Sequence, residues 1–263
     1  MIYYNGNFQK EDYISNYKGY NYGIGCFETI MLDGKKAVFF KEHIARMKRA
    51  MEYLKIEREI NFNEIVKQLI ENEIIEDNEE QALKIIVTDR DISVTIKKIH
   101  FRDEPDGVYV KLIEDMYQNE FGFIKSISYA QNYIAFENIK KDGFYEGIFM
   151  NREGNVTEGC VSNIFFIKNG VVFTPELRLN ILPGIVRSKI MGILRENDIK
   201  VVGGEFKKTE LFGADAVFLS NSLMKKGCIR VKNINGINKG EHEIIKLIES
   251  EFEKLKEKNA VHF

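Results

Sequence analysis

The sequence predicts an α+β chain in two parts, residues 1–118 and 119–263. Three observations predict it. Short β-rich runs are joined by Asn-Gly or Asp-Gly pairs, the residues that two-residue hairpin turns demand. Between them lie longer runs whose apolar residues recur at helical spacing on one face. One polar stretch, Glu114 to Gly122, carries no strong pattern and is the candidate linker between the parts. A chain of 263 residues is long enough for one large domain or two small ones, each with a core of its own.

In chain order, Ile2-Tyr3-Tyr4, Asn5-Gly6 and Asn7-Phe8 read as a hairpin with a type I′ turn. Gly25 to Leu32 reads as a strand, Asp33-Gly34 as a turn and Lys36 to Phe40 as the return strand. A helix is predicted over 41–56, with Ile44, Met47, Met51 and Leu54 on one face. Asn61 followed by Glu64 forms a capping-box pattern opening a second helix, with Ile65, Leu69 and Ile70 inward. Ala82 to Thr88 and Val108 to Ile113 are further strands of the first part. In the second part, 124–129 reads as a strand and 133–142 as a helix. Gly147 to Arg152 and Val156-Thr157 flank a turn at Glu153-Gly154-Asn155. Asn163 to Lys168, Asn169-Gly170 and Val171 to Thr174 form the clearest hairpin of the chain. Residues 184–197 read as a helix, 200–205 and 216–220 as strands. A final helix over 241–258 carries Ile244, Ile245, Ile248, Phe252 and Leu255 as its core stripe.

Composition excludes several classes of function. A net charge of -2 offers no global attraction to nucleic acid or an anionic membrane. No apolar run reaches membrane-spanning length, and the opening Met1-Ile2-Tyr3-Tyr4-Asn5-Gly6 turns polar too soon for a signal peptide. Cys26, Cys160 and Cys228 are widely spaced and odd in number, against both a disulfide framework and a zinc cluster. The expectation is a cytoplasmic protein with no resident metal.

Chemistry concentrates around Val156-Thr157-Glu158-Gly159-Cys160-Val161-Ser162-Asn163, an acidic residue in a Gly- and Ser-containing turn between strand patterns. Upstream lies Lys125, in Gly122-Phe123-Ile124-Lys125-Ser126-Ile127-Ser128-Tyr129. A lysine in such an apolar strand is either a spacer facing solvent or a catalytic amine. Glu158 is either a surface carboxylate or a ligand. Arg46 is either an anion binder or one more charge on a basic helix face with Lys48 and Arg49, and His43 shares its face at i, i+3 spacing. After Pro183, Gly184-Ile185-Val186 opens a helix whose first N–H groups are free to bind an anion.

These segments occur in one order together with Tyr22-Gly23-Ile24-Gly25-Cys26-Phe27-Glu28-Thr29, Leu182-Pro183-Gly184-Ile185 and Ser220-Asn221-Ser222-Leu223-Met224. In that order the chain, from Tyr3 to about Gly236, resembles the fold-type IV pyridoxal-phosphate enzymes. That family comprises branched-chain and D-amino-acid aminotransferases and 4-amino-4-deoxychorismate lyase. The resemblance implies the two-domain D-amino-acid aminotransferase-like fold, pyridoxal 5'-phosphate as cofactor, a small-molecule substrate and a homodimer with the site near the subunit interface. It implies that Lys125 is the Schiff-base lysine and that Glu158 partners the pyridine nitrogen. Arg46, Gly184, Ile185, Val186, Ser220, Asn221 and Ser222 would hold the phosphate. Gly159 would let backbone approach the ring, and Tyr129 would be a phenolic neighbour.

Some positions depart from the family pattern. Gly-Asp-Gly reads Gly23-Ile24-Gly25, and Lys-Ser-Leu-Asn reads Lys125-Ser126-Ile127-Ser128. Met31 stands where many aminotransferases carry arginine, and the Pro-Val beyond the Asn-Ser-Leu motif reads Cys228-Ile229. The arginine that often binds a substrate carboxylate is displaced to Arg90, and one step along a strand reverses its face. Gly25-Cys26-Phe27 and Ser220 to Met224 resemble the lyase branch, so the expected reaction is the lyase's, with aminotransfer as the alternative.

Overall fold

The computed structural model describes residues 2–4, 7–9, 17–72, 80–99, 104, 106–117 and 121–263. Ile2–Tyr4 pairs antiparallel with Asn7–Gln9, Tyr4 opposite Asn7, as a two-residue hairpin requires; the Asn5-Gly6 turn lies outside the described residues.

The first sheet runs, in spatial order, Ala260–His262, Lys36–Val38, Gly25–Asp33, Glu80–Thr88, Ile92–Lys98, antiparallel throughout. Pairing of Asp33 with Lys36 places the turn at Gly34-Lys35, one residue beyond the predicted Asp33-Gly34. Gly34 there takes φ 55°, the first position of a type II′ turn. The return strand stops at Val38 rather than Phe40. Phe39 is left-handed (φ 52°), and the kink sends two successive rings into different cores. Phe39 meets Phe252 at 5.7 Å, whereas Phe40 meets Phe263 at 5.0 Å. Helices Phe40–Tyr53 and Phe62–Asn72 bury Met47, Met51, Val66 and Ile70 with Ile30, Leu83 and Ile85 of the sheet. Asn61 Oδ1 accepts the Glu64 N–H at 3.3 Å, the predicted cap. Strand Ile92–Lys98 is absent from the sequence reading, although Ile92, Val94 and Ile96 alternate with exposed Ser93, Thr95 and Lys97.

The second sheet has nine strands among the described residues. Its spatial order is Val201–Gly204, Val171–Pro175, Asn163–Lys168, Ala216–Ser220, Cys228–Ile234, Val108–Tyr117, Glu146–Met150, Val156–Gly159, with Ile237–Asn238 beside Cys228–Ile234. The predicted hairpin turn at Asn169-Gly170 has φ of 49° and 73°, as type I′ requires. Val108–Tyr117, expected over Val108 to Ile113 as a strand of the first part, instead hydrogen-bonds in parallel to Cys228–Ile234 and Glu146–Met150 of this sheet. It also continues through Glu114, where a linker was predicted. Apolar alternation identifies a strand; it does not say which sheet will accept it. Helices Ile185–Glu196 and Glu243–Lys258 pack Ile190, Ile193, Ile248 and Phe252 against Phe165 and Phe218. No helix among the described residues is long and apolar enough to cross a membrane.

Candidate active site

A cleft of about 450 Å³ is lined by Phe27 and Arg46 from the first sheet and its helix, and by Glu158, Gly184 and Ser220 from the second; Lys125 projects into it.

Alternation predicts a strand over 124–129, yet the segment makes one bridge, Cys26 to Ser126, and no strand. It lies along the part of Gly25–Asp33 that Lys36–Val38 leaves unpaired. Phe27 N–H donates to Lys125 O at 2.9 Å and Ile127 N–H to Gly25 O at 3.0 Å. Phe123 packs on Tyr53 and Ile124 enters the first core, while the Lys125 ammonium lies 4.5 Å from the Phe27 ring centre and 5.4 Å from that of Tyr129. Burial first, and the Arg46 cation after it, bring the lysine's pKa down to about 8 against the opposing pull of Glu28 and Glu158.

Glu158 is not in a turn but in strand Val156–Gly159, and it is buried; the turn is Cys160 to Ser162. Its Oε2 accepts the Leu182 N–H at 3.0 Å and the Asn163 Nδ2 at 3.1 Å. Gly159 is required by the protein itself: a Cβ there would lie 2.4 Å from Ser162 Oγ. Tyr129 donates its hydroxyl to Cys160 O at 2.8 Å and stacks edge-on against Phe27.

Just beyond Leu182, helix Ile185–Glu196 starts at Gly184 with no side-chain cap, leaving first-turn N–H groups open to an anion. A Cβ on Gly184 would sit 2.0 Å from Asn163 Oδ1. Arg46 donates Nε and Nη2 to Glu28 at 2.7 Å each and Nη1 to Pro183 O at 3.1 Å. N–H groups remain on both terminal nitrogens. Ser220 Oγ is buried on the cleft wall and has no hydrogen-bond partner. Asn221 and Ser222 also line the cleft, although Asn221 Oδ1 is engaged by the Leu223 N–H at 2.9 Å.

Sequence reasoning missed Glu28. Burial would raise its pKa, but Arg46 and His43 overcome that and pull it to about 2. His43 lies outside the cleft lining, with Nδ1 2.7 Å from Glu28 Oε2. Burial lowers its pKa, so the ring is neutral and Nδ1–H is the donor. A second omission is Arg187, buried in the cleft wall, whose Nη2 donates to Pro175 O at 2.8 Å. Arg90 is exposed, 5.9 Å from the Tyr17 ring and away from the cleft.

Residues 25–234 match the model of the amino-transferase class IV family. The chain belongs to that family. Class IV enzymes depend on pyridoxal 5'-phosphate. Among relatives, the aminodeoxychorismate lyase of Bacillus subtilis is 28% identical over 247 residues, covering 86% of this chain and 84% of its own. The D-alanine aminotransferase of Bacillus licheniformis is 26% identical over 235 residues, covering 83% and 82%. The branched-chain amino acid aminotransferase structure from Escherichia coli superposes with a TM-score of 0.81 at 20% identity, covering 92% and 88%. The two-domain fold expected from the sequence is therefore that of the class IV enzymes.

The cleft suits this cofactor on its own chemistry. An amine of lowered pKa lies between a buried carboxylate and an anion cradle. That cradle combines open helix N–H groups, a guanidinium with spare donors and a buried hydroxyl that has no protein partner. A ring nitrogen, an aldehyde and a phosphate would each find the group they need.

Proposed function

We propose that this class IV enzyme is a 4-amino-4-deoxychorismate lyase, releasing pyruvate and 4-aminobenzoate for folate synthesis. The observation that carries the reading is the distribution of charge. Among the described residues, the charged side chains lining the cleft are Arg46, Lys125, Glu158 and Arg187. Arg46 holds Glu28 and Pro183 and keeps its remaining N–H groups for the phosphate, and Arg187 donates Nη2 to Pro175 while its buried Nε has no partner. An α-amino acid carries its carboxylate one bond from the reacting carbon, and among the described residues no cation beyond Arg46, Lys125 and Arg187 lines the cleft to receive it. The lyase substrate carries its ring carboxylate across the ring from the amine. The aromatic residues Tyr22, Phe27, Phe121 and Phe136 of the lining suit a flat ring. Similarity to the Bacillus subtilis lyase points the same way.

When bound, pyridoxal phosphate supplies an electron sink through its protonated pyridine ring. Glu158, oriented by the Leu182 N–H and Asn163, holds the proton at the pyridine nitrogen. The N–H groups of Ile185 and Val186, Arg46 and Ser220 anchor the phosphate, with Asn221 and Ser222 beside them. Lys125, with a pKa near 8, supplies a neutral amine in the physiological range. Its amine would hold the cofactor and, once freed by the substrate amine, would take the proton from the amine-bearing ring carbon. The ring carbon–oxygen bond then breaks, its electron pair leaves with enolpyruvate, and a proton returned by Lys125 or water completes pyruvate. No oxidant and no net water are needed. A homodimer in the cytoplasm accompanies this reading, and exposed Tyr22, Phe121 and Val161 at the cleft supply apolar surface for a partner.

The test is pyruvate release from enzymatically generated 4-amino-4-deoxychorismate, with Lys125→Ala as control. Pyruvate and 4-aminobenzoate in equal amounts, lost in the variant, are the expected result. No pyruvate from a cofactor-loaded protein that aminates its cofactor with an amino acid alone would assign it to the aminotransferases.

A further inference from the structure

Behind the cleft wall lies a carboxylate that the chemistry above leaves unused. Glu146, the first residue of strand Glu146–Met150, is fully buried. Its Oε1 accepts the N–H groups of Gly147 and Cys160 at 3.1 Å each. Its Oε2 accepts Ser162 Oγ–H at 3.0 Å and the Val161 N–H at 3.4 Å. Apart from Gly147, every donor belongs to the turn that follows Glu158, and Cys160, Val161 and Ser162 all line the cleft. The other side of that turn is held by the lysine-bearing segment and its helix. Cys160 O accepts Tyr129 Oη at 2.8 Å and Asn132 Nδ2 at 3.0 Å. The Cys160 residue is thus pinned at its N–H by Glu146 and at its carbonyl by Tyr129. Gly159 completes the packing, since a Cβ there would lie 3.1 Å from Glu146 Cδ.

We propose that Glu146 is a positioning residue: it fixes the Cys160–Ser162 wall of the cofactor cleft and sets which way the Ser162 hydroxyl points. An ionised carboxylate can only accept, so Ser162 then donates to Glu146 and offers lone pairs to the cleft. A protonated Glu146 donates to Ser162 Oγ, and the serine hydrogen turns to the cleft. The wall changes from acceptor to donor with one proton and no backbone movement.

Burial raises the Glu146 pKa to about 7, while Ser162 and the backbone donors act to lower it, so the exchange falls near neutral pH. The titratable groups around it are Tyr129 from the lysine segment, and Cys160 and Glu158 from the strand and turn. Burial and the neighbouring carboxylates push both the phenol and the thiol upward, so both stay neutral in that range.

The inference rests on the cofactor and not on which reaction the enzyme performs, and its test needs no substrate. The full chain loaded with pyridoxal phosphate is titrated from acid to alkaline pH while the cofactor absorbance is followed, for wild type, Glu146→Gln and Ser162→Ala. Glutamine keeps the shape and one acceptor oxygen but cannot titrate. Both variants are expected to move the spectral midpoint by at least about half a pH unit. Both should weaken cofactor binding roughly two- to tenfold, the worth of one hydrogen bond. The double variant should match Glu146→Gln, because Ser162 acts through its contact with Glu146. Midpoints and affinities like those of wild type in the two single variants would overturn the proposal. So would a shift in Glu146→Gln that Ser162→Ala does not reproduce. Should Glu146→Gln fail to fold, Ser162→Ala decides alone, and an unshifted midpoint there overturns the proposal.

Discussion

Glu28→Gln tests whether the Arg46 anchor is held by charge or only by shape. Glu28 is buried and accepts from Arg46 Nε, Arg46 Nη2 and His43 Nδ1, each at 2.7 Å. Glutamine keeps one acceptor and turns an N–H group toward donors, so at least one charge-assisted hydrogen bond is lost. Arg46, itself buried, is left without its counter-ion. Breaking a buried pair from one side costs roughly 3–5 kcal/mol. Taking the lower end, about 3 kcal/mol, and roughly 2–4 °C per kcal/mol for a chain of this size, the cofactor-free protein should melt about 6–12 °C lower. Bound cofactor brings a phosphate dianion to the same guanidinium, so the deficit should shrink in the loaded protein. The pH dependence has a definite sign. The Glu28 pKa is held near 2 in the fold, below its ordinary 4.5, so its contribution is present above about 4.5 and is lost as pH falls from there toward 2. Scanning calorimetry with and without pyridoxal phosphate, at neutral and acid pH, measures both effects. Equal melting temperatures in the cofactor-free proteins, or a gap that persists undiminished into acid, would refute the reasoning.

Three further outcomes follow from the cleft. With the Lys125 pKa near 8, covalent capture of pyridoxal phosphate by cofactor-free protein should accelerate about tenfold per pH unit below 8 and level off above it. Borohydride trapping with mass spectrometry reads the rate, Lys125→Ala should trap nothing, and a flat profile from pH 6 to about 9 would contradict the lowered pKa. Because Ser220 Oγ has no protein partner, Ser220→Ala should leave the cofactor-free melting temperature unchanged or higher, yet weaken cofactor binding roughly two- to tenfold by equilibrium titration. Gly184→Ala places a Cβ 2.0 Å from Asn163 Oδ1 and should displace the carboxamide that serves Glu158, destabilising the protein by about 1–3 kcal/mol in a denaturant titration.

What the sequence discloses is what depends on near neighbours. The Asn169-Gly170 hairpin and strand Ala216–Ser220 fall where turn chemistry and alternation place them. Helix Ile185–Glu196 lies one residue inside each predicted limit, because its periodicity and its Pro183-Gly184 start are both local. The cleft residues named from motifs, Lys125, Arg46, Glu158, Gly159, Tyr129, Gly184 to Val186 and Ser220 to Ser222, do line one cavity. Their supports were not legible, since each crosses a long stretch of chain. Lys125 is set by hydrogen bonds to Gly25 and Phe27, Glu158 by Leu182, and Val108–Tyr117 by a strand more than a hundred residues later.

Glu28 is the instructive omission, because a local clue was present. It interrupts the apolar run Gly25–Leu32, which is buried on both faces except near Thr29. A carboxylate in such a strand must bring a counter-charge or lose its own. The next helix offers His43 and Arg46 at i, i+3 spacing on the stripe that also carries Met47 and Ala50, the buried side. A lone anion in a covered strand and a histidine–arginine pair on the buried face of the following helix each break the apolar pattern, and each explains the other. Reading exceptions to the core pattern in pairs would have located the Arg46 anchor without any motif.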